Sequence, residues 1–325
     1  MPRVVIAAPL FNKAAYLEEA VGSLLAQTWT DFALLLIDDR SDDATGKIAR
    51  GFAAADPRVE YHRNERRLGM LGNTNRAFAL ARARHPEAEF WALGSDHDVW
   101  DPRWLETLVA LLDAHPDAVL AYPQTVRIDE HGRPYDRGGK PPWRSETAGL
   151  GDPRARLRAA YRGMVAGDMI YGLFRASALD DIGTLYRPVL VPDRLLLSEL
   201  ALRGATVQAP AVLWRRRFRG LATLDRQRRS FFLDDVPRHA HLPWWAQHTA
   251  ALALAYVVRG QGPGSRREGV VLTAEYLRLA LAHRGRRRLA RVRRTVRRYT
   301  PQRLARRASN RLIDRYGVDV GGAIR

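Results

Sequence analysis

Apolar runs of strand length alternate with helical periods through the first 125 residues, and this alternation limits the fold more than any other feature of the chain. "VVIAA" at 4–8 and "FALLLI" at 32–37 are uninterrupted apolar stretches, and shorter ones follow at 59–61, 90–93 and 118–122. Between them, residues 14–26, 44–54, 73–84 and 103–114 repeat apolar side chains every three or four positions, which is the helical period. Strands apolar on both sides and joined by helices predict an α/β fold, a mostly parallel sheet with helices on both faces. Such sheets bind ligands at the carboxyl ends of their strands, where the winding changes direction. Two strand ends are acidic here: Asp38-Asp39, and "GSDHDVWDP" at 94–102.

The common nucleotide signatures are missing. No GxGxxG follows the first strand, and neither GxxxxGK[ST] nor GxSxG occurs, so dinucleotide, P-loop and serine-elbow readings fail. The absence of cysteine removes thiolate chemistry. Acids at a strand end hold a divalent cation, accept bonds from sugar hydroxyls, or act as a base. Mg²⁺ and Mn²⁺ prefer oxygen ligands and share them with substrate phosphates. Asp101 and Pro102 read instead as the cap and first position of the next helix.

"VVIAAPLFNKAAYLEEAVGSLLAQTWTDFALLLIDDRSDDAT" resembles the opening of family 2 glycosyltransferases, inverting enzymes of the GT-A fold. Pro9, Phe11, Asn12, Gln27, Asp38, Asp39, Ser41, Asp43 and Thr45 follow the family pattern in order and spacing, and the likeness extends over residues 3–215. The resemblance implies a nucleotide-diphosphate sugar donor, most often a UDP-sugar, and a glycan or lipid-linked acceptor. It places Pro9, Phe11 and Asn12 against the nucleotide and gives Asp39 a hydrogen bond to the base. In "GMLGNTNRAFALA" the family's arginine is replaced by Thr74 before Asn75, so Arg76, or Arg66 and Arg67, would carry the positive charge near the diphosphate. "SDHDVWDP" looks like the family's Asp-x-Asp motif. Asp96 would serve the ribose and the metal, with His97 and Asp98 as the remaining metal candidates in two possible registers. The cofactor implied is Mn²⁺ or Mg²⁺, and an imidazole at this place favours manganese. Asp193 in "LVPDRLLLSELALRG" matches the family's base. A helix N-terminus there would keep its carboxylate charged. Asp168 is the runner-up base, Glu199 a weaker one, and Arg216 a further diphosphate candidate. The Gln-x-x-Arg-Trp motif of processive members is absent, which argues against a polymerising synthase.

Further along, residues 129–152 read as a long mobile loop, 169–174 as a strand, 194–203 as a helix and 205–214 as a strand. Helices are expected at 243–258, 267–283 and 286–316. The expected division is a catalytic domain at 1–225 and a helical C-terminal extension at 226–325. Fourteen arginines and one acid between 284 and 315 hold +13 of the net charge of +18. The segment "RRRLARVRRTVRR" is a basic amphipathic helix suited to an anionic membrane surface. No nucleic acid is expected. The competing reading is a nucleic-acid or membrane-surface binding protein with an inactive GT-A-like domain, driven by the polycationic tail. "PRHAHLPWWAQHTAALALAYVV" reads as a core helix. The N-terminus lacks a signal-peptide pattern, and the apolar run at 249–258 is about half of the roughly 20 residues a span needs. A cytoplasmic protein, peripheral at the inner membrane face, is expected.

Overall fold

A computed structural model describes residues 1–134, 145–217 and 223–299, with side chains described up to 283. Contacts divide the chain into two units, Met1–Tyr276 and Leu277–Arg325, and the candidate site lies in the first. That unit runs on well past residue 225, where the sequence suggested a boundary.

The first half follows its sequence pattern closely. Strand β1 (Val4–Leu10), helix α1 (Ala14–Leu25), β2 (Phe32–Asp38), α2 (Thr45–Ala55), β3 (Val59–Arg63), α3 (Gly69–Arg84) and β4 (Phe90–Leu93) succeed one another. β3, β2, β1 and β4 lie side by side and parallel. Alternation of side chains along each strand sorts the core into two layers. Val4, Ile6, Ala8 and Leu10 of β1 join Phe32, Leu34 and Leu36 of β2 against Leu17, Val21 and Leu24 of α1. Val5 and Ala7 join Ala33, Leu35 and Ile37 against Ala77, Phe78 and Ala81 of α3 on the opposite face. The winding runs from β1 to β2 and β3, then returns to the other side of β1 as β4. The carboxyl ends of β1 and β4 therefore flank the switch point.

A two-residue strand β5 (Val99–Trp100) and helix α4 (Trp104–Ala114) come next. Asp101 is not the residue bounding α4: its Oδ1 accepts the Arg103 amide in a turn at 3.0 Å, and the helix begins at Trp104. The α4 terminus is held instead by Gln27, whose Oε1 accepts from Leu105 N at 3.0 Å while its Nε2 donates to Asp101 O.

The second half departs from its sequence reading. β6 (Ala118–Ile128) is more than twice the length expected, and α5 (Pro153–Gly163) has an Asp152 cap. Residues 135–144 of the expected mobile loop lie outside the described residues. The expected strand at 169–174 is mostly turn. Met169 ends a short helix α6 (Ala166–Met169), and only β7 (Leu173–Arg175) pairs, before α7 (Ala176–Asp180). Apolar periodicity could not separate the two because Met169 and Ile170 are buried without being in a strand. Helix α8 (Pro192–Arg203), strand β8 (Ala205–Arg217), α9 (Leu224–Phe232) and α10 (Trp244–Leu252) follow, with a 3-10 turn at Arg238–His241 and a π-helical turn at Ala253–Val258. A single helix α11 (Arg266–Tyr299) replaces the two expected at 267–283 and 286–316, and residues beyond 299 lie outside the described ones. β7 is antiparallel to β4 and β6, β8 is parallel to β6, and β5 is antiparallel to β8. The eight-stranded sheet is thus mixed, in the order β3-β2-β1-β4-β7-β6-β8-β5.

Candidate active site

A cleft opens at the switch point. Pro9 and Phe11 from the end of β1, Asp39 after β2, Asn73 and Thr74 of α3, and Gly94, Ser95, Asp96 and His97 after β4 line it. Gly94 allows the close approach there, since a Cβ would stand 2.8 Å from the Ala8 Cβ. Gly69 opens α3 at φ +74° with the Phe231 carbonyl 2.9 Å from where a Cβ would sit. Any side chain would clash with that backbone and strain the turn.

At one end, Phe11 offers an aromatic face with the Arg67 guanidinium 3.9 Å from its ring centre. Asp39 is buried, and its Oδ1 accepts from Asn64 Nδ2 and Leu68 N at 2.8 and 2.7 Å. Among the described residues its Oδ2 accepts from Gly69 N alone, at 2.9 Å, which leaves it acceptor capacity beside the cleft. Asn73 fixes this corner by donating to Ile37 O and accepting from Asn64 Nδ2.

In the middle, Asp96 Oδ2 accepts from Phe11 N at 3.1 Å and its Oδ1 lies 2.5 Å from His97 Nδ1. With the Asp96 carboxylate on Nδ1, Nε2 is the ring nitrogen left to meet a metal, the usual way a metal-binding histidine is oriented. Asp98 is buried beneath and outside the lining, and its Oδ1 accepts from Arg217 N at 2.7 Å. Burial pushes the Asp98 carboxyl up from its ordinary range, with His97 acting in the opposite direction. Among the described residues no three His, Asp or Glu side chains converge as a ready-made metal cage, so the expected trio of Asp96, His97 and Asp98 is not assembled. The chemistry of the donors present still fits a cation that takes one or two protein ligands and completes its shell with phosphate oxygens.

Arg217 is what seals Asp98 away, and sequence reasoning passed over it for Arg216. Its buried guanidinium donates to His97 O at 2.8 Å and to Asp129 O and Glu130 O at 2.9 Å, pairs with Glu19, and lies 4.7 Å from the Tyr16 ring. Only its place in the arginine run after a strand hinted at it. Arg216 pairs with Asp168 at 2.5 Å, and Asp168 is also 3.5 Å from Arg127, so these two candidates hold each other outside the cleft lining.

Tyr171 and Tyr186 complete the lining, and Asp193, not itself a lining residue, lies near enough for its charge to act on both phenols. Burial lifts both phenols above their ordinary range, and nearby carboxylates add to it: Asp98 for Tyr171, Asp193 for Tyr186. Asp193 lies in the first turn of α8 and accepts from Arg194 N at 2.9 Å. Loss of solvent pushes its carboxyl up, outweighing the backbone and arginine interactions that pull it down. Burial and the backbone at the helix terminus thus act on this carboxyl in opposite directions, and burial is the larger effect. Glu199 is bound to Arg187 at 2.7 Å and to the Tyr256 hydroxyl, a structural pairing.

Three expected donor contacts lie elsewhere. Asn12 adopts φ 50° and its side chain accepts from Asp42 N at 3.0 Å, tying β1 to the β2–α2 loop rather than lining the cleft. Asn75 spends both polar atoms on the Tyr186 backbone, and Arg76 is exposed one position beyond it. On a helix, neighbours in sequence point about 100° apart, so residues 73–74 face the cleft while 75–76 do not.

Residues 5–183 match the family model described as Glycosyl transferase family 2. The chain is similar to the putative glycosyltransferase EpsE of Bacillus subtilis, 27% identical over 40% of this chain and 46% of that protein. It is also similar to the GalNAc(5)-diNAcBac-PP-undecaprenol beta-1,3-glucosyltransferase of Campylobacter jejuni, 32% identical over 23% of this chain and 25% of that one. An uncharacterized protein, y4gI of Sinorhizobium fredii, is 35% identical over 44% of the chain, which spans 15% of its length. The chain thus spans less than half the length of these curated relatives. Among solved structures, S. aureus TarS 1-349 in complex with UDP-GlcNAc superposes with TM-score 0.58 at 17% identity, over 87% of this chain and 73% of that one. The mannosyltransferase PcManGT of Pyrobaculum calidifontis, in complex with GDP-Man and Mn2+, gives TM-score 0.51 at 17% identity, over 86% of each chain.

Proposed function

The chain belongs to glycosyl transferase family 2, and we propose that it moves a sugar from a nucleoside-diphosphate donor to an acceptor hydroxyl with inversion at the anomeric carbon. The observation that carries this reading is one cleft at the sheet's switch point. It is lined by an aromatic face and a carboxylate for a base, by Asp96 and His97, and by Tyr171 and Tyr186, with Asp193 outside the lining but near enough for its charge to act on Tyr186. UDP is read as the nucleotide from the family resemblance, and Asp39 Oδ2 has acceptor capacity for the N–H of a base such as uracil.

In this reading the base packs on Phe11, and Arg67 balances the charge of the diphosphate. Asp193 takes the proton of the acceptor hydroxyl. The acceptor oxygen bonds to the anomeric carbon from the face opposite the diphosphate. The bond to the diphosphate breaks and its electron pair leaves with the nucleotide. The raised Asp193 carboxyl is a stronger base than an exposed aspartate, which serves this step. His97 Nε2, oriented by Asp96 on Nδ1, would hold a divalent cation, manganese or magnesium, which when bound neutralises the leaving diphosphate. The acceptor is read as a glycan or lipid-linked glycan in cell-surface synthesis, a reading supported by the name of the Campylobacter relative. Among the described residues no helix is long and apolar enough to cross a membrane, and the arginine-rich tail is read as the part that meets an anionic leaflet.

Calorimetry with UDP and GDP, with and without Mn²⁺, tests the reading. Binding of UDP strengthened by Mn²⁺ is expected. No binding of either nucleotide under any of these conditions would sink it.

A further inference from the structure

Helices α9 and α10 lie beyond the stretch matched by the family model, which ends at residue 183, yet three of their side chains reach one turn beside the active site. That turn is Leu190-Val191, directly before the helix that carries Asp193. Leu190 N donates to Gln247 Oε1 at 2.9 Å, Leu190 O accepts from His248 Nε2 at 2.7 Å, and Val191 N donates to Gln227 Oε1 at 3.1 Å. Val191 sits at φ 55° and ψ 47°. A β-branched residue rarely adopts this left-handed conformation, so something outside the turn has to hold it. We propose that Gln227, Gln247 and His248 are positioning residues, whose hydrogen bonds fix the Leu190–Val191 turn and thereby aim Asp193 at the acceptor. The inference rests on Asp193 being the base.

The donors and acceptors leave no alternative arrangement. A carbonyl only accepts, so His248 Nε2 carries the proton and Nδ1 takes the Tyr276 hydroxyl. Burial lowers the imidazole to about 4, which keeps it neutral at working pH. Gln247 Nε2 donates to Leu242 O at 2.7 Å, which sets its Oε1 toward Leu190 N. Gln247 and His248 are both essentially without exposure, whereas Gln227 is half-buried.

The test is a variant series with kcat for transfer, donor KM, UDP affinity by calorimetry and a pH profile. His248→Phe keeps the ring and removes the donor. Gln227→Met keeps the length and removes the acceptor. Each is expected to lower kcat on the order of tenfold or more through misplacement of the base, with UDP affinity within about twofold of the parent. His248→Gln, which retains a donor near the Nε2 position, is expected to recover most of that loss. Val191→Gly, which removes the cost of the left-handed residue, is expected to recover part of the Gln227→Met loss. Should His248→Phe fail to fold, the half-buried Gln227→Met carries the test. Retention of kcat in Gln227→Met, or parallel loss of kcat and UDP affinity, overturns the inference. Asp193→Asn in the same series separates the two claims. If it still transfers sugar, the base assignment falls and this inference with it; if it is inactive beside a fully active Gln227→Met, this inference falls alone.

Discussion

At the nucleotide end of the cleft, Pro9, Asp39 and Asp96 each stand at or just past the end of a parallel strand, and their hydrogen-bond partners come from the adjoining loops. At the acceptor end, Asp193 stands on a helix whose entry turn is held by side chains 36 to 58 residues away in sequence. The first region is built by the sheet, whose register places every strand end together. The second is built by packing of helices on one another. A strand end tolerates loss of one loop contact, because the sheet still delivers its carboxylate. A helix entry turn in a left-handed conformation has no such support, so the acceptor end should be the more fragile in catalysis and the nucleotide end the more fragile in binding.

The largest effect expected is at Asp193. Asp193→Asn should cut transfer about 10²–10⁴-fold and leave UDP affinity within about twofold, measured by product formation and calorimetry. Lost UDP affinity would move Asp193 to the donor end and erase the contrast. Its pH behaviour follows from the raised carboxyl. Only the ionised form accepts a proton, so the acid limb of kcat/KM should lie above the ordinary aspartate value and vanish in the variant. The folded state holds this proton more tightly than the unfolded chain, so ionisation costs stability above both pKa values. Asp193→Asn should therefore unfold at an equal or higher temperature at neutral pH, which thermal denaturation followed by circular dichroism checks.

Asp39→Ala should come next. It strands the amides of Leu68 and Gly69, at about 1–3 kcal/mol for each group left buried without a partner, leaves Asn64 with only its bond to Asn73, and should weaken both thermal stability and UDP binding. Phe11→Ala should weaken UDP by about 1–3 kcal/mol through lost stacking while kcat at saturating donor stays near the parent value. The smallest change belongs to Asn12. Asn12→Ala should cost about 1 kcal/mol of stability through its left-handed backbone and lost bond to Asp42, with UDP affinity unchanged and Asn12→Gly close to the parent. A change of UDP affinity at Asn12 would return it to the donor site.

Legibility in the sequence follows the same division. Strands β1 to β4 and helices α1 to α4 came within a few residues, because alternation and helical period are set by neighbouring side chains, whereas the two-residue β5 was not read as a strand. Pro9, Phe11, Asp39, Asp96 and His97 were found by motif order and all line the cleft. Asn12, Asn75 and Arg76 belonged to the same motifs and do not, since a motif records which residues occur together and not which way each points. Tyr171, Tyr186 and Arg217 carried no pattern to read. The two tyrosines lie in a turn and a loop near short elements, and Arg217 is one of three successive arginines.

The sequence by itself determined the parallel half of the sheet, its two apolar layers and the acidic strand ends at its switch point. Those depend on contacts between residues close in the chain or on uninterrupted apolar runs that have no other way to be buried. Only the tertiary structure decided that His97 faces the cleft while Asp98 is sealed under Arg217, 119 residues away, and that the Asp193 turn leans on Gln227, Gln247 and His248. A hydrogen bond across such a separation leaves no period in the sequence. It exists because the packed core brings two backbones within reach, and the side chain there is the one whose donors and acceptors match.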